Sequence, residues 1–306
     1  MKNFLMKAIP IWLVLILVFD AVLMTGVAQF YFMNKQFKKA VTELKETTKS
    51  PEEFVQILKE QVIPYSGYKT QLKWGDLGRQ LVEAGVIDKE KYEELFASDA
   101  DSKDHMKYLK GSWDENISIN EQNSRFVVNT LWALGLVNMS KVLDDGPMRA
   151  KNVQTGNMAS TGGWTLGSKV PMQLYSSKKI IDLSSEQEDL VRKIAENVYR
   201  PCCGNHTAFP DCNHGMAALG YIEMAVKSGL SEEQIYKDLL ALNSYWFPQT
   251  YVEIAAYFDK AGTKWEKVDA KTILSSQYSS SQGASSIKQS LQDLPGFETK
   301  GGGCGA

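Results

Sequence analysis

The residues best suited to metal ligation and thiol chemistry are concentrated in one stretch of this sequence, residues 201–215. That stretch holds three of the four cysteines and two of the three histidines in a chain of 306 residues. The spacing is Cys-Cys-x2-His-x5-Cys-x-His, formed by Cys202, Cys203, His206, Cys212 and His214. Random placement would scatter these residue types, so the stretch is the first candidate for a functional site.

Thiolates and imidazoles are the ligands that Zn(II), Cu(I) and iron–sulfur clusters take from proteins. A loop with Gly204 and Pro210 can fold several such side chains onto one centre, and Asp211 could ligate a metal or orient a histidine. The sequence therefore predicts a bound transition metal ion. The predicted ligands are Cys202, Cys203, His206, Cys212, His214 and Asp211.

Copper and zinc are the predicted metals. Mixed thiolate and imidazole ligands with Met216 nearby favour copper if the domain is extracytoplasmic, whereas zinc is the expectation for a cytoplasmic domain. An iron–sulfur cluster is less favoured, because the fourth cysteine, Cys304, lies far along the chain in a glycine-rich C-terminal stretch.

Two alternatives use the same cysteines without requiring a metal. In a thiol–disulfide oxidoreductase, Cys202 and Cys203 would form a vicinal disulfide, Cys212 would resolve it, and His214 would act as a base. In a membrane scaffold or assembly protein, the loop would be held by a structural disulfide or metal. The sequence does not decide whether the protein is an enzyme, and no catalytic residue is assigned.

The triplet Cys202-Cys203-Gly204 resembles the Cys-Cys-Gly motif of heterodisulfide-reductase-type iron–sulfur subunits. The resemblance covers three residues, and the further cysteines that this family places far upstream and downstream are absent from the sequence. The triplet therefore assigns no family to the chain.

Two predicted helices position the loop. Ser184 or Ser185 caps the first, over residues 184–199, and acidic residues occupy its first turn. The second begins at residue 213 or 214 and runs to residue 227, with glycines at 215 and 220 that allow a close helix approach. Cys212 lies at its start, where the helix dipole and free N–H groups favour a thiolate.

The hydrophobic periodicity elsewhere predicts a mainly α-helical globular domain with long irregular loops and little β structure. The predicted regions are a helical stalk (35–49), an N-terminal helical region (50–150), a loop plus helical Cys/His-site region (151–274) and a flexible Ser/Gly-rich tail (275–306) with Cys304. Within them, residues 65–73 and 98–121 are predicted to be connectors, and residues 170–175 a short strand.

Residues 1–34 are predicted to be a single transmembrane anchor. Residues 8–33 carry one formal charge, that of Asp20, and as a helix they would span about 39 Å, more than the roughly 30 Å hydrocarbon core. A signal peptide cleaved near residues 26–28 is the alternative. The lipid bilayer is thus a predicted partner, a second membrane protein could contact Asp20, and the C-terminal domain is expected outside the cytoplasm.

The overall charge gives no reason to expect nucleic acid as a partner. The formal net charge is −2 at pH 7, whereas nucleic-acid-binding surfaces are strongly basic. The Gly162-Gly163 pair is followed by neither a Gly-Lys-Ser/Thr sequence nor a Gly-x-Gly-x-x-Gly pattern. A nucleotide site is therefore not predicted.

Overall fold

The computed structural model describes residues 33–36, 38–39, 50–98 and 102–297. The described chain is mainly helical with little β structure, which confirms the predicted class. Asp20, Cys304 and the anchor apart from its last two residues lie outside the described residues, as does most of the stalk. Within the part of the chain that is described, no helix combines the length and apolar composition needed to cross a bilayer.

From residue 50 onward the described chain forms fourteen α-helices and two strands. The α-helices are α1 (Pro51–Val62), α2 (Leu77–Glu83), α3 (Lys89–Leu95), α4 (Ser102–His105), α5 (Ser124–Val137), α6 (Lys141–Asp144), α7 (Pro171–Leu174), α8 (Ser185–Ala195), α9 (Asn213–Lys227), α10 (Glu232–Trp246), α11 (Pro248–Lys260), α12 (Ala270–Ile273), α13 (Ser276–Ser279) and α14 (Ser281–Ser290). The strands β1 (Tyr68–Gly75) and β2 (Trp113–Ile119) form an antiparallel pair. Short 3-10 helices cover Met106–Leu109, Pro147–Arg149, Thr155–Asn157 and Trp265–Lys267.

Several helices begin where the sequence provides a capping residue. Ser50 caps α1 by accepting a hydrogen bond from the Glu53 N–H, and Pro51 occupies its first turn. Ser184 caps α8 in a capping box with Gln187, in which each side chain accepts from the other residue's backbone N–H. The start of α8 that the sequence predicts is confirmed. The helix predicted over residues 184–199 is shorter than expected, because α8 ends at Ala195.

The antiparallel β1–β2 pair is absent from the sequence prediction, which assigned most of β1 and all of β2 to connectors. In β1 the buried residues alternate with exposed ones: Thr70, Leu72 and Trp74 face the core. This period of two is the signature of a half-buried strand. The short strand predicted at residues 170–175 is wrong as well. That segment forms α7, whose first position is Pro171.

The described part of the predicted flexible tail is helical and packed. It forms α13 and α14, and the apolar side chains of Ile287, Leu291, Leu294 and Phe297 are buried. The serines support this structure by bonding to the backbone. Ser280 caps α14 by accepting from the Gly283 N–H, and the Ser279 hydroxyl donates to the Ile273 carbonyl. A serine-rich composition therefore concealed a segment that belongs to the core.

One hydrophobic core joins the predicted regions, with buried side chains from Leu58 to Phe297. At its centre α5 and α9 cross backbone to backbone. A Cβ atom on Gly135 would lie 2.0 Å from the Met216 carbonyl oxygen, and one on Gly220 would lie 2.6 Å from the Leu131 carbonyl oxygen. The close approach predicted at residue 220 is therefore confirmed, and it fixes the axis of α9.

Two of the buried carboxyl groups in this core belong to Asp238 and Glu223. Asp238 of α10 accepts hydrogen bonds from the hydroxyl groups of Tyr68 and Tyr221, which connects β1 and α9 to α10. Glu223 of α9 is fully buried, and its carboxyl group accepts a hydrogen bond at 3.0 Å from the Asn138 side chain. Burial raises the pKa of Glu223 well above its ordinary value, although hydrogen bonds from Ser140 and Asn138 oppose the shift.

We expect Gly135→Ala to destabilise the fold by about 1–3 kcal/mol, because the added methyl group must force α5 and α9 apart. This loss would occur even though alanine is the better helix former by about 1 kcal/mol. Urea denaturation measures the change. Asp189→Ala, on the exposed face of α8, should stay within about 0.5 kcal/mol of the parent. Equal stability of Gly135→Ala and the parent would contradict the crossing.

We expect the stability advantage of Glu223→Gln to grow with pH. A carboxyl group whose folded-state pKa is raised stabilises the fold fully only below its unfolded pKa, and the contribution is lost as pH rises toward the folded pKa. Glutamine has no such proton to lose. Thermal denaturation from pH 4 to pH 8 should show a gain on the order of 1 kcal/mol at the upper end. A pH-independent difference, or one shared by exposed Glu266→Gln, would contradict this assignment.

Candidate metal centre

The cysteine-bearing loop connects α8 to α9 and folds back on itself. An antiparallel bridge pairs Tyr199 with His206, and the Thr207 N–H donates to the Val198 carbonyl at 2.8 Å. The Asp211 carbonyl accepts from the Ser160 N–H at 3.2 Å, which ties the loop to the segment before α7. These contacts bring the two ends of the loop, and their cysteines, to the same place.

The three cysteine side chains converge. The Sγ atoms of Cys202, Cys203 and Cys212 all lie within 4.8 Å of one another, and those of Cys202 and Cys212 are 3.3 Å apart. All three are free thiols and are partly buried. The Cys203 carbonyl accepts a hydrogen bond from the Ser281 N–H, so α14 supports the loop from the side of the chain predicted to be flexible. This group could hold a metal ion.

The other three predicted ligands lie outside this group. Asp211 accepts hydrogen bonds from Arg200 and from the Asn205 side chain, at 2.5 and 2.7 Å. The His206 ring packs edge-on against Tyr199, with 6.0 Å between ring centroids. Among the described residues, the structure therefore brings together three of the six predicted ligands. The ligand roles of His206, His214 and Asp211 stay predictions.

His214 lies in the first turn of α9 and faces aromatic side chains. Its ring centroid is 4.4 Å from that of Phe247 and 5.8 Å from that of Trp246. The side chain is 9% exposed, and its Nδ1 atom has no hydrogen-bond partner in the described structure. His214 thus connects the cysteine loop to the aromatic interior.

Arg200 organises the site, and the sequence did not reveal it. Its side chain is 1% exposed. The guanidinium donates from Nε to Cys212 Sγ at 3.0 Å, from Nη1 to the Asn205 carbonyl at 3.0 Å, and from Nη2 to the Phe209 carbonyl at 3.1 Å. Nη2 also forms the ion pair with Asp211. The only signal in the sequence was its position directly before Pro-Cys-Cys.

The start of α9 is shaped around this guanidinium. Cys212 is the N-cap residue of the helix, and its Sγ accepts from the Gly215 N–H at 3.3 Å. A Cβ atom on Gly215 would lie 2.4 Å from the Cζ atom of Arg200, so only glycine leaves room for the buried side chain. The helix N-terminus and the arginine therefore act on the same sulfur atom.

The three thiols differ in pKa. Hydrogen bonds from Cys202 and Cys203, together with the charge of Arg200, hold the pKa of Cys212 well below its ordinary value despite burial. Hydrogen bonds with Cys203 and Cys212, and burial, raise the pKa of Cys202. The hydrogen bond from Cys202 lowers the pKa of Cys203, but the bond with Cys212 and burial raise it to about 11.

Negative charge in the thiol group is thus concentrated on Cys212. Burial alone would lower the pKa of Arg200, but the charges of Cys212 and Cys203 and the hydrogen bond to Cys212 raise it, so the guanidinium keeps its proton. Burial lowers the pKa of His206, although the charge of Glu196 opposes the shift. His206 is therefore neutral at neutral pH, the form in which an imidazole can ligate a metal.

Comparison with protein-family models, with curated protein sequences and with solved structures gives no match. The geometry of the thiol group and of its surroundings is therefore the basis for a functional proposal.

We expect Gly215→Ala to raise the pKa of Cys212, because the new methyl group displaces the Arg200 guanidinium from its sulfur. The measurement is the pH dependence of Cys212 alkylation by iodoacetamide in metal-free protein, followed by peptide mass spectrometry. Alkylation of the variant should become fast only at higher pH than in the parent.

Gly204→Ala is the matched control in the same loop. Its Cβ atom would meet only the flexible end of the Gln282 side chain, at 3.2 Å, so the alkylation profile should follow that of the parent. A folded Gly215→Ala protein with an unchanged profile would show that Arg200 does not set the reactivity of Cys212.

Proposed function

We propose that Cys202, Cys203 and Cys212 bind one soft transition metal ion, Cu(I) or Zn(II), and that the protein serves in metal handling or redox chemistry at a membrane face. The observation that carries the proposal is the convergence of three sulfur atoms within 4.8 Å. Thiolates are soft ligands that select these metals over Mg²⁺ or Ca²⁺. Three of them in one place give a ligand set that packing alone does not require.

The sulfur separations suit a shared ion. A Zn–S bond is about 2.3 Å, so two sulfur ligands of a tetrahedral ion lie roughly 3.8 Å apart. The Cys202–Cys212 distance of 3.3 Å is shorter than this, and small side-chain rotations would open it. The other separations fall below 4.8 Å. The backbone of the loop therefore need not move for the metal to enter.

The surroundings compensate the charge of such a centre. Three thiolates exceed the charge of either Cu(I) or Zn(II), and Arg200 supplies a buried positive charge beside them. Its Nε–H bond to Cys212 Sγ is of the kind that orients and tunes a metal-bound ligand from outside the coordination shell. Asp211 and the Asn205 carbonyl hold the guanidinium in that position.

Three protein ligands leave coordination space for a further group. Cu(I) accepts three sulfur ligands, whereas a tetrahedral Zn(II) would keep one position open, as catalytic zinc sites do. His206 or His214 could fill that position in the metal-bound protein. An open or exchangeable position suits an ion that is transferred or that reacts, rather than one with a purely structural role.

A second candidate, a thiol–disulfide oxidoreductase, is favoured by the short distance between Cys202 and Cys212. A disulfide S–S bond is about 2.05 Å, so closing the 3.3 Å gap requires only side-chain motion. The Cys212 thiolate would attack a substrate disulfide and release one substrate thiol. The Cys202 thiolate would then attack Cys212, release the second thiol and leave a Cys202–Cys212 disulfide, so that two electrons reduce the substrate.

The proposed membrane location rests on the sequence of residues 1–34. In this proposal the anchor spans the bilayer once, Asp20 contacts a partner or a second copy, and the domain faces the outside of the cytoplasm. The charge of the chain supports no role with nucleic acid. Protease protection of the domain in sealed membrane vesicles tests this topology, and digestion from the cytoplasmic side would overturn it.

We expect the full chain, purified without oxygen and loaded with Cu(I) or Zn(II), to hold about one metal ion per chain by elemental analysis. The triple variant Cys202→Ser/Cys203→Ser/Cys212→Ser should lose the ion, because serine hydroxyls are poor ligands for soft metals. Cys304→Ser is the matched control, since it removes the one cysteine outside the loop, and it should keep the metal.

The same proteins distinguish metal binding from the thiol–disulfide oxidoreductase function. Failure of the parent to retain either metal would overturn the metal proposal. If a reversible Cys202–Cys212 disulfide then forms under mild oxidation and reduces a model disulfide, the second candidate stands. If no such disulfide forms, both proposals fail and the loop has a structural role.

A further inference from the structure

The sulfur atoms of Cys202 and Cys212 lie at a distance that suits two mutually exclusive states. They are 3.3 Å apart, between the roughly 2.05 Å of a disulfide bond and the roughly 3.8 Å between two sulfur ligands of a tetrahedral ion. Side-chain rotations in one sense close a disulfide, and rotations in the other sense open the pair around an ion. The two states exclude each other, because a sulfur atom in a disulfide has lost the negative charge that makes a thiolate a metal ligand.

Cys203 is the loop thiol that a Cys202–Cys212 disulfide would leave over. Its backbone carbonyl accepts a hydrogen bond from the Ser281 N–H at 2.9 Å, so the start of α14 holds this residue in place. Its Sγ atom lies within 4.8 Å of those of Cys202 and Cys212. Closing the disulfide would therefore remove two of the three sulfur ligands of a shared ion and leave the third beside it.

The thiol group lies where the protein surface meets the interior. Cys202, Cys203 and Cys212 are each partly buried, so none of them is sealed within the core. Arg200, which donates to the Cys212 sulfur, is 1% exposed. Exchange between thiols and disulfides requires access to the sulfur atoms, and partial exposure gives a small molecule that access.

Arg200 makes the oxidised state of this group the less favourable one. Its Nε–H donates to Cys212 Sγ at 3.0 Å, and the Gly215 N–H donates to the same atom at 3.3 Å. Hydrogen bonds to a charged acceptor are stronger than those to a neutral one. Oxidation of Cys212 would therefore weaken a contact that offsets the cost of burying the guanidinium. A disulfide with such a cost is readily reduced again.

We propose that a Cys202–Cys212 disulfide is a redox switch that releases the metal ion from this site. The inference rests on the proposed function, because it concerns the regulation of the same site. The oxidant is a small-molecule disulfide.

The exchange takes place in two steps. The Cys212 thiolate attacks one sulfur atom of the oxidant and expels the first small thiolate, and the Cys202 thiolate then attacks Cys212 and expels the second. Two electrons thus pass from the two cysteines to the oxidant. The metal ion keeps its oxidation state and dissociates, because Cys203 alone remains as a loop thiolate. A small thiol reverses both steps and restores the three ligands.

The test follows metal release from the full chain carrying Cys304→Ser, which removes the cysteine outside the loop. Zn(II) is the probe because it has no redox chemistry of its own, and Cu(I) replaces it if the chain retains only Cu(I). The loaded protein is treated with glutathione disulfide in the absence of oxygen, and a colorimetric chelator reports the free metal. We expect about one ion released per Cys202–Cys212 disulfide, which peptide mass spectrometry identifies. Reduced glutathione is the control, since it offers the same sulfur ligand without oxidation, and it should release little metal.

Two variants with the same number of loop thiols test the assigned pair in metal-free protein. Cys203→Ser keeps Cys202 and Cys212 and should still form their disulfide. Cys212→Ser leaves adjacent cysteines, whose Cα atoms are about 3.8 Å apart, closer than the roughly 4.4–6.8 Å of an ordinary disulfide. It should therefore form a disulfide at least about tenfold more slowly than Cys203→Ser.

The outcomes separate the switch from the proposed function. Equal rates of disulfide formation in the two variants would overturn the assigned pair. A loaded chain that forms the Cys202–Cys212 disulfide and keeps its ion, or that releases its ion without this disulfide, would overturn the switch while metal binding stands. A chain that retains neither Zn(II) nor Cu(I) before oxidation would overturn the proposed function, and the switch would fail with it.

Discussion

The buried guanidinium of Arg200 is the constraint on which the cysteine loop depends. Removing a charge from water costs several kcal/mol unless partners replace the solvent, and here two backbone carbonyls, the Asp211 carboxylate and the sulfur of Cys212 surround it. Each partner comes from a different part of the loop, so the loop has one conformation in which the charge is satisfied. Gly215 has no side chain, and this leaves the space that the Arg200 guanidinium occupies. The sulfur cluster is therefore a consequence of how this arginine is buried.

The first turn of α9 holds the sulfur atom to which Arg200 donates. Cys212 is its N-cap residue, and the ring of His214, two residues later, packs against Phe247 and Trp246. Gly135 of α5 and Gly220 of α9 bring the backbones of these two helices into contact. Such close packing leaves α9 little freedom to rotate. The position of the Cys212 sulfur is thus set by a rigid element rather than by the loop alone.

The parts of this structure that were predictable are those with a local signal. The starts of α1 and α8 follow from Ser50 and Ser184, and the clustering of cysteines indicated the site. The β1–β2 pair was missed because the alternation of buried and exposed residues in β1 is only a few residues long. The exposed positions of this strand are also as polar as those of a connector. Arg200 could not be predicted, since an arginine is usually exposed. The orientations of the His206 and His214 side chains depend on tertiary packing around an irregular loop. Such a loop has no hydrophobic periodicity from which they could be predicted.

The same electrostatics bear on which chemistry the loop is built for. A disulfide between Cys202 and Cys212 would neutralise the sulfur to which Arg200 donates, and a hydrogen bond to a neutral sulfur offsets less of the cost of the buried charge. A metal-bound thiolate keeps negative charge on that atom. A disulfide also needs two sulfur atoms, whereas Cys203 brings a third into the group. The buried arginine and the third thiol therefore both support the proposal that the sulfur atoms stay reduced, because a bound metal ion would use all three and would keep negative charge on the sulfur beside Arg200.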